Sequence, residues 1–362
     1  MFKNIKQAKQ LSKEFKIPIE DILLISLNCC GVNTNLPFKR IRFRLALKSK
    51  PYDEVYLGLP VHYDSPFRLL PSAFPDEYRL FFDNYEIGKV REIENDTCDA
   101  TYFRRNKTYL TLNSNSRSKC RGCAFCGNVN LDPNDNYDLT TEEKLRNYLK
   151  EFLHNHKLSD FSHLVGVGIC TGCFRDEEET LNHILLVRKV FREFGFNNEI
   201  IYIGSQITKN RSLRILKQSA SPFSLYLTLE CFRRRKILLK PLKAKITLQK
   251  AREIIKRAID TGFNSTFLYI LGLDPLEVVV KEIERFANIV SRFPIINLFQ
   301  PYVEWQKKLR DPFASSIEYY LQIRKELEEI FVDKPFRPRP WENYRSLWYF
   351  KFGEEEIRDI RI

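Results

Sequence analysis

Three cysteines lie within seven residues of the sequence, in the stretch SKCRGCAFCGN (118–128). Their spacing is Cys120-x-x-Cys123-x-x-Cys126, and no fourth cysteine continues the series. Thiolates are soft ligands, and clustered cysteines in a chain of this kind bind zinc or iron–sulfur clusters. The spacing therefore predicts a metal centre in this stretch.

The two kinds of centre differ in how the ligand set is completed. A structural zinc site is closed by four ligands, and Cys98, Cys170 or Cys173 would have to supply the fourth. A 4Fe-4S cluster held by three cysteines instead leaves one iron open to a substrate or cofactor. Both possibilities are open at this point.

A second close pair, Cys170-x-x-Cys173, follows an apolar run that is typical of a buried strand. These thiols could ligate a second iron–sulfur cluster, act in catalysis, or be small buried residues. The chain has nine cysteines and its first residues do not resemble a secretory signal, so we expect reduced thiols and a cytoplasmic location.

The formal net charge of +13 is concentrated in one part of the chain. Residues 206–257 contain fifteen Lys or Arg and two acids, so the rest of the sequence is close to neutral. A positive field of this kind attracts an acidic protein, an acidic peptide or nucleic acid, whereas the simpler interpretation is a solvated basic surface.

The elements that must position the cysteines form a regular series after residue 107. Apolar strand-like runs alternate with amphipathic helical patterns six times. The strand-like runs are 107–115, 163–172, 199–207, 223–231, 265–273 and 295–303. Right-handed crossovers between such units build a parallel sheet, so we predict an α/β fold with a partial (β/α)6 TIM-like barrel.

The series defines three regions of the chain. Residues 1–104 lack the alternation and are predicted to form a small α+β domain. The barrel is assigned to residues 105–333, and residues 334–362 to a proline-rich, aromatic extension packed on it. No apolar run is long enough to span a membrane.

The cysteine loop directly after the first strand resembles that of the radical S-adenosylmethionine (SAM) superfamily. Cys123-Ala124-Phe125-Cys126 matches the end of the usual Cys-x-x-x-Cys-x-aromatic-Cys motif, while Cys120 lies one residue closer to Cys123 than usual. The resemblance covers about residues 107–331. It implies that the three cysteines bind a 4Fe-4S cluster and that Phe125 lies beside the cofactor.

Other segments extend the resemblance. ILGLDPLE (270–277) resembles the region of the fifth strand that lies against adenine, and LYLTLECFRRR (225–235) resembles a fourth strand with a cofactor-binding acid and Arg. GVGICTG (166–172) stands where a glycine-rich motif holds the amino group, although its usual acid and proline are missing. The implied SAM-binding residues are Phe125, Gly166, Gly168, Ser205, Glu230, Arg235 and Gly272.

The resemblance implies an enzyme that reductively cleaves SAM to a 5′-deoxyadenosyl radical. That radical would remove hydrogen from a biosynthetic substrate, which could be a small metabolite, a cofactor precursor or a peptide. Cys170 and Cys173 are the candidate catalytic residues, and an acidic ferredoxin or flavodoxin is the expected electron donor. The alternatives are a basic zinc protein acting on nucleic acid, which we do not favour, and a plain iron–sulfur electron carrier.

Overall fold

The structure is a computed structural model that describes residues 1–74, 76–97, 101–115, 120, 122–127, 138–342 and 345–357. In these ranges no helix is both long and apolar enough to cross a membrane.

Two helices and an antiparallel sheet form the amino-terminal part of the chain. The helices are α1 (Ile5–Phe15) and α2 (Ile19–Cys30). The strands are β1 (Arg40–Leu47), β2 (Lys50–Pro60), β3 (Phe67–Pro71), β4 (Tyr78–Phe82) and β5 (Tyr85–Asn95), in the order β2-β1-β5-β4-β3. Helix α2 is buried along most of its length and carries Asp21, which bonds to the carboxy-terminal part of the chain.

A second sheet of seven strands forms the centre of the molecule. Its strands are β6 (Tyr102–Arg104), β7 (Tyr109–Leu112), β8 (Gly166–Ile169), β9 (Glu199–Gly204), β10 (Phe223–Glu230), β11 (Asn264–Leu271) and β12 (Ile295–Leu298). They lie in sequence order across the sheet, and all neighbours from β7 to β12 are parallel. Only β6, which pairs with β7, is antiparallel.

Helices follow each of the six parallel strands. They are α3 (Glu142–Asn155), α4 (Glu177–Glu193), α5 (Asn210–Ser219), α8 (Leu248–Asp260), α9 (Leu276–Ala287) and α10 (Ile317–Ile330). Two extra short helices, α6 (Arg235–Leu238) and α7 (Pro241–Ala244), precede α8. Each long helix packs an apolar stripe on the sheet, as Ala251, Ile254, Ile255 and Ala258 of α8 do. The predicted α/β fold with a partial (β/α)6 barrel is confirmed.

The carboxy-terminal extension packs against the amino ends of the parallel strands. Trp341 contacts Tyr109 with ring centroids 4.3 Å apart, in a cluster with Ile201, Tyr226 and Ile295. A last hairpin follows, with strands β13 (Lys351–Phe352) and β14 (Glu355–Glu356). The amino end of the half-barrel is therefore filled, and the opposite edge holds the cavity described below.

A buried ion pair joins the two ends of the chain. Arg324 of α10 donates to Asp21 of α2 at 2.6 Å and to Glu328 at 2.8 Å. Asp21 also accepts from the backbone N–H groups of Tyr349 and Phe350. Because these groups are buried, removal of one partner would leave an uncompensated charge, so the network orients α2 against α10.

Candidate functional site

A cavity lies at the carboxyl edge of the half-barrel, where parallel α/β sheets bind their ligands. The space between its walls, part of which is open to solvent, measures about 1150 Å³. Residues from the loops or carboxyl ends of all six parallel strands contribute to its wall. Among them are Cys120, Cys123, Phe125 and Cys126 after β7, Cys170 and Cys173 after β8, Gly204 of β9, Thr228 and Glu230 of β10, Ile270 of β11 and Asn297 of β12.

The cysteine loop is held by neighbouring backbone and by one buried side chain. The N–H of Ala124 donates to the carbonyl of Leu238 at 2.9 Å, and the N–H of Cys126 donates to the carbonyl of Cys123 at 3.0 Å. The buried amide of Gln306 donates to the carbonyls of Ala124 and Cys126 at 2.9 and 3.3 Å. These bonds hold Cys123 and Cys126 at the cavity wall.

Two glycines allow the loop to lie close to its surroundings. Gly122 has φ of +107°, and a Cβ there would lie 2.9 Å from the Cβ of Lys240. A Cβ at Gly127 would lie 2.8 Å from the ring of Tyr302. Larger residues at either position would displace the loop.

Five thiols face this one cavity, and two of them interact directly. A hydrogen bond from Cys173, assisted by the nearby Lys240, lowers the pKa of Cys120. Lys240 Nζ lies 3.1 Å from Cys120 Sγ. The same thiol–thiol bond, together with burial, raises the pKa of Cys173. Cys120 therefore favours the thiolate form, which is the form that binds metal.

The thiols are not gathered around a single point. Among the residues placed by the structure, no three Cys, His, Asp or Glu side chains form a group suited to one metal ion. A zinc ion requires its four ligands to converge on it. Cys98, which the sequence also indicates as a possible fourth ligand of a zinc site, lies outside the described residues.

Glu230 is the acid of the cavity and ends strand β10. Its backbone has φ of +68°, a conformation that is uncommon for residues other than glycine. Its Oε1 accepts from Lys243 Nζ at 2.8 Å, and both side chains are only 11% exposed. Its Oε2 is buried and has no hydrogen-bond partner in the described part of the chain. A buried acceptor of this kind suits a ligand that donates hydrogen bonds.

Two further buried hydrogen-bond acceptors in the cavity wall are also unsatisfied in the described part of the chain. Thr228 Oγ1 and Gln300 Oε1 find no hydrogen-bond partner among the described residues. Burial alone would lower the pKa of Lys243, but Glu230 and the thiols of Cys123 and Cys173 raise it overall. The cavity thus combines a persistent cation with several unsatisfied acceptors.

The predicted cofactor residue Arg235 is placed outside the cavity wall. Its guanidinium donates to the carbonyls of Leu229 and Cys231 at 2.7 Å and to that of Lys243 at 3.0 Å. It thereby holds the backbone of α7 against the end of β10. Lys243 lines the cavity, as do the cations Arg40 and Arg345. Sequence reasoning missed Lys243 because nothing distinguishes it from the other basic residues of the segment.

Four other predicted residues are not among those that line the cavity. Gly166 is the first residue of β8, at the amino end of the strand, and Gly168 lies within it. Ser205 follows β9 and is buried, and Gly272 follows β11 with φ of +109°. Phe125 and Glu230 do line the cavity. The cofactor-binding roles of all these residues stay predictions.

The turn that carries Cys170 and Cys173 is bonded to the loop after β7. The N–H of Cys170 donates to the carbonyl of Leu112 at 3.0 Å, and that of Gly172 donates to the carbonyl of Asn115 at 2.9 Å. Asn115 Nδ2 also donates to the carbonyl of Gly172 at 3.2 Å. The second pair of thiols is therefore held beside the first three.

The amino-terminal sheet contributes one residue to the cavity wall. Arg40 of β1 lines the cavity, and its guanidinium lies 4.4 Å from the ring centroid of Tyr302. Asp96 Oδ2 accepts from Arg40 Nε at 3.0 Å, and Asp96 Oδ1 accepts from Arg42 at 3.0 Å. This contribution had no sequence signal, because it depends on how the two sheets pack.

Comparisons with known proteins give only weak similarities. No family model matches the sequence, and no curated protein matches it. The solved structures it resembles include a radical SAM methyltransferase from Sphaerobacter thermophilus, with a TM-score of 0.45, 14% identity and 80% of each chain covered. Streptococcus suis SuiB bound to S-adenosylmethionine has a TM-score of 0.44 and 12% identity over 70% of this chain and 56% of SuiB.

SuiB bound to the precursor peptide SuiA gives a TM-score of 0.42 and 13% identity, with 63% of this chain and 46% of SuiB covered. The chain thus spans about half the length of the SuiB chains that it matches. Similarities this weak do not determine an activity, so the function has to be argued from the site.

Proposed function

We propose that the chain is a radical SAM enzyme that binds a 4Fe-4S cluster through Cys120, Cys123 and Cys126. The observation that carries the proposal is the shared cavity. Three thiols from one loop line it together with Glu230, whose buried Oε2 has no partner among the described residues. Soft ligands on one side and a hydrogen-bond acceptor on the other suit a cluster beside a ligand with a positively charged amino group.

Different side chains of the cavity would bind different groups of SAM. Glu230 would accept from the amino group of SAM, and Lys243, which lines the same cavity, would bind the carboxylate of the same ligand. Leu268, Ile270 and Phe299 supply apolar wall that excludes water from the ligand. When bound, the cluster and SAM together supply a 5′-deoxyadenosyl radical that removes a hydrogen atom from the substrate.

The substrate belongs in the same cavity, beside the second pair of cysteines. We place Cys170 and Cys173 on its wall as candidate catalytic thiols, with ligation of a second cluster as the alternative. A biosynthetic small molecule, a cofactor precursor or a peptide is the proposed substrate, and an acidic ferredoxin or flavodoxin is the proposed reductant. The cytoplasm is the location where such thiols stay reduced.

One observation favours a second candidate function. Cys173 lines the same cavity as the triplet, so a fourth thiol lies in the wall of the site. Four thiolates would close a cluster and make the chain an electron carrier, since no iron would remain open to SAM.

Metal analysis and spectroscopy of anaerobic protein test the proposal. We expect iron and sulfide in equal amounts, no zinc, and an electron paramagnetic resonance signal of the reduced cluster that changes when SAM is added. Cys173→Ser should retain the cluster and the spectral change. One zinc per chain without visible absorbance would contradict the cluster, and a cluster whose signal ignores SAM would favour the electron carrier.

A further inference from the structure

We propose that an exposed basic surface beside the cysteine loop is the docking site for an acidic electron-donor protein. We call this surface the basic rim; it comprises the exposed residues of 233–245, namely Arg233, Lys236, Ile237, Pro241, Leu242 and Lys245. The inference rests on the proposed function, since a reductant is needed only where the loop holds a redox cluster.

The segment that carries the basic rim packs directly on the cysteine loop. The carbonyl of Leu238 accepts from the N–H of Ala124 at 2.9 Å. Lys240 Nζ lies 3.1 Å from Cys120 Sγ, and the backbone of Gly122 passes close to the Cβ of Lys240. At these contacts, no other described residue lies between the segment and the cysteine loop. A protein bound on the rim would therefore lie close to the cluster ligands, as electron transfer requires.

The cations of the basic rim are not neutralised by neighbouring acids. Within the described ranges, Arg233, Lys236 and Lys245 form no ion pair, and the acid of the cavity, Glu230, is already paired with Lys243. Cations of α8 in the same basic segment do have partners: Lys250 pairs with Glu253 at 3.2 Å and Arg252 with Glu282 at 3.4 Å. The uncompensated positive field is thus directed outward next to the cysteine loop.

Apolar side chains lie among these cations. Ile237 is 74% exposed and Leu242 is 43% exposed, although both are aliphatic. Helices α6 and α7 are only four residues long. Helix α6 buries Arg235 and Leu238 and α7 buries none of its residues, so the side chains of Ile237 and Leu242 remain in solvent. A small apolar centre with charges around it is the composition of a weak, transient protein interface, as redox partners form.

The composition of the basic rim also argues against nucleic acid as the occupant. Residues 233–245 contain no aromatic side chain. Surfaces that bind single-stranded nucleic acid combine cations with aromatic rings on which bases stack. An acidic protein with a redox group near its surface fits the rim better.

A charge-reversal pair tests the docking site. K236E/K245E reverses two exposed cations of the basic rim, and R214E/K256E makes the same charge change on the exposed faces of α5 and α8. Formation of 5′-deoxyadenosine would be driven either by an acidic flavodoxin with its NADPH-dependent reductase or by dithionite. Binding of fluorescently labelled flavodoxin would be followed by anisotropy at low salt.

We expect K236E/K245E to lose about tenfold or more of the flavodoxin-driven rate and of flavodoxin affinity, because charge complementarity governs such encounters. Its dithionite-driven rate should equal that of the wild type, and R214E/K256E should change both rates by less than about twofold.

Several results would overturn the docking site. These are unchanged flavodoxin binding in K236E/K245E, an equal fall in flavodoxin binding in the control R214E/K256E, or an equal fall of the K236E/K245E rate with dithionite. Binding of a short, fluorescently labelled single-stranded RNA would be measured in the same way. If K236E/K245E kept its affinity for flavodoxin but lost its affinity for this RNA, the surface would be assigned to nucleic acid instead. Absence of product with dithionite in the wild type would contradict the proposed function alone, because the anisotropy measurement still decides whether the basic rim binds flavodoxin.

Discussion

Glu230 and Lys243 form a buried ion pair in which one carboxylate oxygen is bonded and the other is not. Lys243 Nζ donates to Oε1 at 2.8 Å, while Oε2 has no partner in the described part of the structure. The pair therefore presents an acceptor to the cavity without leaving the carboxylate uncompensated.

Glu230→Gln should weaken SAM binding about tenfold or more, since a hydrogen bond to a charged group contributes roughly 1.5–3 kcal/mol. Equilibrium dialysis of labelled SAM against anaerobic, reconstituted protein measures the change. Glu253→Gln, an exposed acid of α8, is the matched control. Equal affinities in the two variants would show that Glu230 does not contact the cofactor.

His183 should make the stability of the protein sensitive to acid. Burial lowers its pKa from 6.5 to about 4, and its Nε2 lies 2.6 Å from Ser114 Oγ. The unfolded chain binds a proton at this residue more readily than the folded chain, so stability is lost as pH falls below the unfolded pKa. Between about pH 7 and about pH 5 the contribution to unfolding free energy should decrease by about 2 kcal/mol.

The variant His183→Gln isolates this effect from other titrating groups. Urea unfolding of both proteins over that pH range should give a smaller decrease for the variant. Parallel losses of stability in the two proteins would mean that His183 takes up its proton in the folded state.

The residues of the site differ in how far the sequence indicates them. The cysteines could be placed because they follow strands, and parallel strands bring their carboxyl ends to one edge. Lys243 could not, because its position depends on the two short helices and on Arg235, which bonds to the carbonyl of Lys243. Arg235 is predicted from the sequence to bind a cofactor, yet its guanidinium is bonded to backbone carbonyls.

At the scale of elements, the six β-α units were predictable because strands buried on both faces are continuously apolar. Strand β10, for example, is buried at every residue. Helices α6 and α7 carry no such signal, since four residues are too few for a helical period. The insertion they form holds the cysteine loop from one side, as Gln306 does from the other.

The close packing of the cysteine loop against Tyr302 gives a prediction at Gly127. A Cβ at this position would lie 2.8 Å from a ring that itself contacts Arg40, so Gly127→Ala should displace the loop. We expect the iron content after reconstitution to fall by about half or more, because misplaced ligands hold metal less tightly.

The double variant Gly127→Ala/Tyr302→Leu removes the aromatic ring that causes the crowding. Iron content should recover toward that of Tyr302→Leu alone. If Gly127→Ala binds as much iron as the wild type, the ring does not limit the position of the loop.

In the whole molecule, both terminal regions contribute to the cavity wall, and one of them also closes the opposite end of the half-barrel. Arg40 of the amino-terminal sheet and Arg345 of the carboxy-terminal extension line the cavity, and Trp341 of the same extension packs at the amino ends of the strands. The sequence predicted both regions but not these contacts, because contacts between distant segments follow from the packing of whole elements.

Trp341→Ala should destabilise the protein by about 3–5 kcal/mol, since it removes a large buried side chain from the Tyr109–Tyr226 cluster. Trp305→Ala, at a tryptophan that is 45% exposed, should cost less than about 1 kcal/mol. Chemical denaturation of the two variants measures the difference. Equal stabilities would mean that Trp341 does not fill the end of the barrel.

The most direct test of the central claim is the detection of 5′-deoxyadenosine after reconstituted protein is reduced in the presence of SAM. We expect the product with wild-type protein and none with Cys123→Ala. Wild-type protein that contains its cluster, binds SAM and forms no 5′-deoxyadenosine on reduction would contradict it.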